Sequence, residues 1–256
     1  MAALSYLGFH VVFLAPLLFA LVVAVSIRRL RLPRARVQWA GIGILVAVAL
    51  AYTIPWEVLL IGRGVWSYGD GVVRARLWGV PYEELLFIAV QPAVTALWLY
   101  QFTTPSDRPL AVAPSTRAVG ALAGLVVGIV GGALYLRGGT TTYLGALLGW
   151  AGPVLAIQWA FGWPYLVERW RTVLVGVGLP TLYLCAADTV AIAVGIWKLS
   201  PTYTTGIAFA GLPLEEALFF LVTNLFVVQG LVLWLWLTER LDVDVPVEEP
   251  TPAPEP

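Results

Sequence analysis

Pro81-Tyr82-Glu83-Glu84-Leu85-Leu86-Phe87 recurs as Pro213-Leu214-Glu215-Glu216-Ala217-Leu218-Phe219, and these two acidic starts to long apolar runs decide the fold. Proline suits the first turn of a helix, and acids there complement the positive end of the helix dipole. Working outward, Gly64-Val65-Trp66 returns as Gly195-Ile196-Trp197. The glycine motif repeats at an offset of 131 and the acidic motif at 132, so one residue is inserted in the second loop. At the offset of 131, Glu57 in one apolar run aligns with Asp188 in another.

The rest of the chain is greasy. Of its 256 residues 60% are hydrophobic and 12% charged, which describes a protein dissolved mostly in lipid. A formal net charge of zero and the lack of a basic face argue against nucleic acid. Cys185 is the single cysteine and His10 the single histidine, so a disulfide framework, a Cys or His metal site and a Ser-His-Asp triad lack material. The first apolar stretch is the length of a span rather than of a signal peptide.

About 20 apolar residues cross the hydrocarbon. Seven runs qualify: Tyr6–Ile27, Val37–Ile61, Pro81–Phe102, Ala118–Leu136, Tyr143–Leu166, Thr172–Val194 and Pro213–Leu237. The expected fold is therefore all-α and polytopic, with spans one to three repeated in parallel as spans five to seven. One connecting helix, span four, restores the orientation. The repeats occupy 1–105 and 139–238, with the connector in 106–138 and an acidic, proline-rich tail over 239–256 that is expected to be disordered. Arg28, Arg29, Arg31, Arg34, Arg36, Arg108, Arg117, Arg169, Arg171 and Arg240 fall on one side, against Arg63, Arg74, Arg76, Arg137 and Lys198 on the other. Ten against five puts the N-terminus of this multi-pass cell-membrane protein outside and its C-terminus in the cytoplasm.

Intramembrane acids cost several kcal/mol unless they face a cavity or a partner, which makes Glu57 and Asp188 functional candidates. At about 1.5 Å per residue they lie roughly 30 and 24 Å from the cytoplasmic starts of their helices. Glu83, Glu84, Glu215 and Glu216 begin spans that enter from that same outer side, so six carboxylates converge on one level. A protonated acid beside an ionised one gives a donor and an acceptor, suited to acid-initiated chemistry on an apolar substrate. Trp56, Trp66 and Trp197 lie near the acids, where indole faces stabilise cations or anchor the chain at the interface. Tyr68 can orient an acid or belong to the same aromatic belt. Asn224, Thr223, Gln91 and Gln158 are polar within spans and read equally as interhelical glue.

Pro55-Trp56-Glu57, Gly64-Val65-Trp66-Ser67-Tyr68, Ala187-Asp188-Thr189 and the paired acidic motifs together resemble the membrane lycopene cyclases. These occur as paired small subunits in some bacteria and as a fused chain in archaea and fungi. The resemblance runs from about Val37 to Leu237, with Glu57 standing where the family suggests an aspartate. It implies acid-initiated closure of the ends of lycopene to β-ionone rings, giving β-carotene with no net redox change. It also implies no cofactor and no metal; the Gly120–Gly132 stretch is helix-packing material rather than a nucleotide loop. Glu83, Glu84, Glu215 and Glu216 become the acid–base groups, with Glu57 and Asp188 setting their protonation. Trp56, Trp66, Trp197, Tyr68, Phe87, Phe219 and Asn224 become substrate contacts. Partners are lycopene and other linear carotenoids and membrane lipid, with room for a homo-oligomer or contact with neighbouring carotenoid-pathway enzymes. A carboxylate-lined proton or cation carrier and a carotenoid hydratase are the alternatives. An opsin-like protein is excluded because Lys198, the one lysine, lies in a loop.

Overall fold

A computed structural model describes residues 4–27, 35–104 and 108–243. Arg28, Arg29, Arg31, Arg34 and the tail over 244–256 lie outside the described residues. Long apolar runs become helices because the bilayer offers no partner for exposed backbone groups. Among the described residues there are seven: α1 (Tyr6–Ile27), α2 (Ala35–Gly62), α3 (Tyr82–Leu99), α4 (Pro114–Arg137), α5 (Thr142–Glu168), α6 (Trp170–Ala193) and α7 (Leu214–Val243). The protein is thus an all-α, polytopic membrane protein, and α7 runs past the boundary expected at 238.

Among the described residues six helices are long and apolar enough to cross a membrane; α3 is not among them. Its 18 residues span roughly 27 Å and include Glu83, Glu84 and Gln91. Neighbouring protein lets it carry those groups: α3 packs against α1, α2, α6 and α7. Of these partners α7 is the most enclosed by protein, with 61% of its most apolar window buried against 17% for α1. Between them lies a core of Val94, Leu97, Leu99, Val228, Leu231 and Trp236. The α4 helix lies along α5, where Gly120, Gly124 and Gly131 meet backbone so closely that a Cβ would overlap it. This is the small-residue packing expected for the glycine stretch.

The loops that join α2 to α3 and α6 to α7 carry short strands, which composition alone does not suggest. β1 (Trp66–Tyr68) pairs antiparallel with β4 (Trp197–Leu199), Ser67 facing Lys198. Gly69 N donates to Ile196 O (3.0 Å) and Ser200 N to Val65 O (2.8 Å) at the two ends of this ribbon. β2 (Arg76–Leu77) and β3 (Val80–Pro81) form a hairpin, as do β5 (Ala208–Phe209) and β6 (Leu212–Pro213). Each hairpin turns on two residues of positive φ, Trp78 (53°) with Gly79 (89°) and Ala210 (51°) with Gly211 (87°). That is the turn whose twist matches antiparallel strands. These hairpins deliver the chain into the first turns of α3 and α7.

Candidate active site

Each hairpin ends in proline, and the helix begins at once. Consecutive helical residues point about 100° apart, so the two glutamates of each motif cannot share a task. Glu83 turns back to the loop, where its Oε1 accepts the Arg74 backbone N–H (3.0 Å). Glu215 does the same with Thr205 N–H (2.6 Å). They close their loops on the helix N-termini, beside the backbone bonds from Tyr82 N to Ala75 O (3.1 Å) and from Leu214 N to Ile207 O (2.9 Å).

Glu84 and Glu216 point inward. They line one pocket with Glu57 and Asp188, which arrive near the ends of α2 and α6. Oε2 of Glu84 accepts both the Tyr6 hydroxyl (2.8 Å) and the Tyr68 hydroxyl (2.9 Å), and the Trp66 indole donates to the Tyr68 oxygen (3.1 Å). Burial, and then the neighbouring Glu84 charge, push the Tyr68 phenol well above its ordinary pKa, which keeps its proton available for donation. Oε1 of Glu216 accepts the Tyr143 hydroxyl (2.8 Å). Glu57 and Asp188 are buried at 2% and 1% exposure. Among the described residues Oε2 of Glu57 and both Asp188 oxygens have no hydrogen-bond partner; the Trp197 indole faces Asp188 without a bond of ordinary geometry.

The pocket holds about 40 Å³, and none of its lining side chains is cationic. Four carboxylates so enclosed cannot all be ionised, because a buried charge needs an opposing charge or donors. Aromatic rings form the walls. Trp56 stacks on Phe219 (5.9 Å between centroids, 2° between planes) and approaches Trp66 (6.0 Å), while Trp197 sits 5.0 Å from Tyr6. Beyond Phe87 and Phe219, which border both spaces, lies a second cavity of about 120 Å³. Leu45, Val48, Trp150 and Phe226 give it a mostly apolar lining, with Thr53, Gln91, Gln158 and Thr223 among the polar exceptions.

Of the residues singled out from sequence, Glu57, Glu84, Asp188, Glu216, Trp56, Trp66, Trp197, Tyr68, Phe87 and Phe219 gather in the first pocket. Glu83 and Glu215 do not line it, and neither does Asn224. Asn224 is buried, with its Oδ1 accepting from Gln91 and Thr95 (2.6 Å each) and its Nδ2 donating to Thr181 (3.1 Å). It ties α7 to α3 and α6, which is the glue reading. Tyr6 and Tyr143 were missed, although Tyr6-Leu7-Gly8 recurs as Tyr143-Leu144-Gly145. Among the described residues no group of three or more His, Cys, Asp or Glu side chains could hold a metal ion.

The lycopene cyclase family model matches residues 6–102 and 140–234, the helices that build the pocket. The chain belongs to the lycopene cyclase family. It is similar to the lycopene beta-cyclase of Halobacterium salinarum, with 50% identity over 239 residues, 92% of this chain and 98% of that protein. It is also similar to the bifunctional lycopene cyclase/phytoene synthase of Aspergillus niger, 38% identical over 196 residues, 74% of this chain and 34% of that longer protein. No solved structure matches.

Proposed function

We propose that this protein is a lycopene beta-cyclase working inside the bilayer. The observation that carries the reading is one pocket in which four carboxylates, two of them bonded by phenols, face aromatic walls. Half-identity to the Halobacterium cyclase over nearly its full length supports the choice of substrate. A carboxylic acid adds a proton to the terminal double bond of the polyene and leaves a tertiary cation. The electrons of an internal double bond close a six-membered ring, and the charge moves to a ring carbon. A carboxylate then takes a ring proton, whose C–H electrons become the β-ionone double bond. Product and substrate are isomers, so no electron acceptor is involved, and two rounds give β-carotene through γ-carotene.

Indole faces around the pocket would stabilise the cations by about 2 kcal/mol when desolvated. The rest of the chain would run past Phe87 and Phe219 into the apolar cavity. A pocket of about 40 Å³ is far smaller than a filled ligand site, so aromatic side chains part as the substrate enters. A single pocket supports one shared site serving both ends of lycopene in turn.

The arrangement is best read as two parallel repeats within 1–105 and 139–238, related by a two-fold axis between Ser67 and Lys198, with α4 as the connector in 106–138. Its support is a set of bonds that recur, one pair within each half and one pair between the halves with partners exchanged. Tyr6 N donates to Val72 O (2.9 Å) and Tyr143 N to Tyr203 O (3.0 Å). The Tyr52 hydroxyl donates to Trp150 O (2.7 Å) and the Tyr183 hydroxyl to Phe13 O (2.6 Å). The excess of arginine in the first, third and fifth loops supports an outside N-terminus, which puts the pocket toward the outer leaflet.

Expression in a lycopene-accumulating cell, followed by pigment analysis, tests the activity: β-carotene is expected. Unchanged lycopene beside folded, membrane-inserted protein would sink it, and proton uptake by vesicles carrying the protein would point to a carrier instead.

A further inference from the structure

The pocket acids differ in what meets their oxygens, and the geometry points to a division of labour: Glu57 and Asp188 donate the proton, while Glu84 and Glu216 take it away. The assignment rests on the cyclase reading of this pocket. A carboxylate is an acceptor only, and an O–H donor aimed at it stabilises the ionised form. Glu84 receives two such donors on a single oxygen, with the Trp66 indole fixing the second phenol, and Glu216 receives one. Tyr6, Tyr68 and Tyr143 are thus positioning residues that hold two bases ready.

Glu57 and Asp188 have the opposite surroundings. Both are more than nine-tenths buried and line the same pocket, yet among the described residues Oε2 of Glu57 has no partner and the oxygens of Asp188 have no bond of ordinary geometry, the Trp197 indole only facing them. An ionised carboxyl left so bare would lose its hydration with nothing in return, whereas a protonated one tolerates apolar walls. A bare protonated acid is also the stronger donor toward a carbon–carbon double bond, because no hydrogen bond must break first. Glu83 and Glu215 have one unpartnered oxygen each, but the other accepts a backbone N–H and neither lines the pocket. In each round Glu57 or Asp188 loses a proton to the terminal double bond and Glu84 or Glu216 gains one from the ring. Transfer back across the pocket restores the starting state, so protons balance without an outside source.

Infrared spectroscopy of the protein in lipid vesicles reads this directly. At neutral pH the wild type should show a protonated-carboxyl band that weakens in Glu57→Gln and in Asp188→Asn and persists in Glu84→Gln and Glu216→Gln. Loss of the band in Glu84→Gln or Glu216→Gln, or its absence from the wild type, overturns the assignment. The pH profile of cyclisation gives a second arm with conservative variants. In Tyr6→Phe combined with Tyr68→Phe the Glu84 carboxylate is held less firmly, so the acidic limb should move to higher pH while the alkaline limb stays. Movement of the alkaline limb instead would make Glu84 a donor. Failure of the cyclase reading is distinguishable, since it appears as absent ring formation in the wild type while the infrared pattern still reports which acids hold protons.

Discussion

The approaches to α3 and to α7 are built with the same backbone devices but reach the pocket with different side chains. Both use a glycine of positive φ after the preceding helix, Gly64 (73°) and Gly195 (80°), then a strand, a tight hairpin, and a glutamate that bonds the loop backbone. At the pocket the likeness ends. Glu84 has two phenols and Glu216 has one, because Leu199 stands in β4 where Tyr68 stands in β1. His10, buried in a π turn of α1, corresponds to Leu147 in α5 when the Tyr-Leu-Gly motifs are aligned. Backbone features that set geometry are kept in pairs, while features that set the chemistry of each acid are free to diverge. One pocket assembled from both approaches makes that divergence useful, since a donor and an acceptor need unlike surroundings.

The largest effects are expected where the two approaches meet. Glu84→Gln and Glu216→Gln should each lower cyclisation about 10²- to 10⁴-fold in membranes supplied with lycopene, the usual worth of a general acid or base. Full activity in either variant would assign the chemistry to the other approach alone. Next comes the difference in phenols: Tyr143→Phe removes the one phenol bonded to Glu216, whereas Tyr68→Phe leaves Tyr6 on Glu84. A hydrogen bond to a charged group is worth about 1.5–3 kcal/mol. Tyr143→Phe should therefore cost about ten-fold or more in kcat, and Tyr68→Phe clearly less; equal losses would break the comparison. Smaller still, Glu83→Gln and Glu215→Gln should lower thermal stability in detergent by matching amounts, about 1–2 kcal/mol each, with little change in the pH profile. The smallest effect belongs to Gly64→Ala and Gly195→Ala, where open space surrounds the added methyl group and only the positive φ opposes it. Each should cost about 1 kcal/mol, and a large difference between them would mean that the two turns are not equivalent.

Much of this was legible in the residues. Seven apolar runs marked the helices because span length is a property of the bilayer and not of the fold. The common level of the acids followed from counting helical rise. Legibility stopped short at α3, whose run marked a helix but did not show that four neighbouring helices pack against it. It failed at Asn224, since a polar residue inside a span looks the same whether it faces a substrate or another helix. Tyr6 and Tyr143 carried a readable signal in the Tyr-Leu-Gly repeat, but a tyrosine near a membrane surface is ordinary.

The paired Pro-x-Glu-Glu motifs, by themselves, determined that two long helices each begin with a pair of acids, because periodicity and spacing are local. Tertiary structure alone decided which glutamate of each pair enters the pocket, since that depends on how α3 and α7 are rotated against their neighbours. It also decided that there is one pocket rather than two. That follows from β1 pairing with β4, a contact between distant segments that brings the ends of α2 and α6 together and closes four carboxylates into a single space.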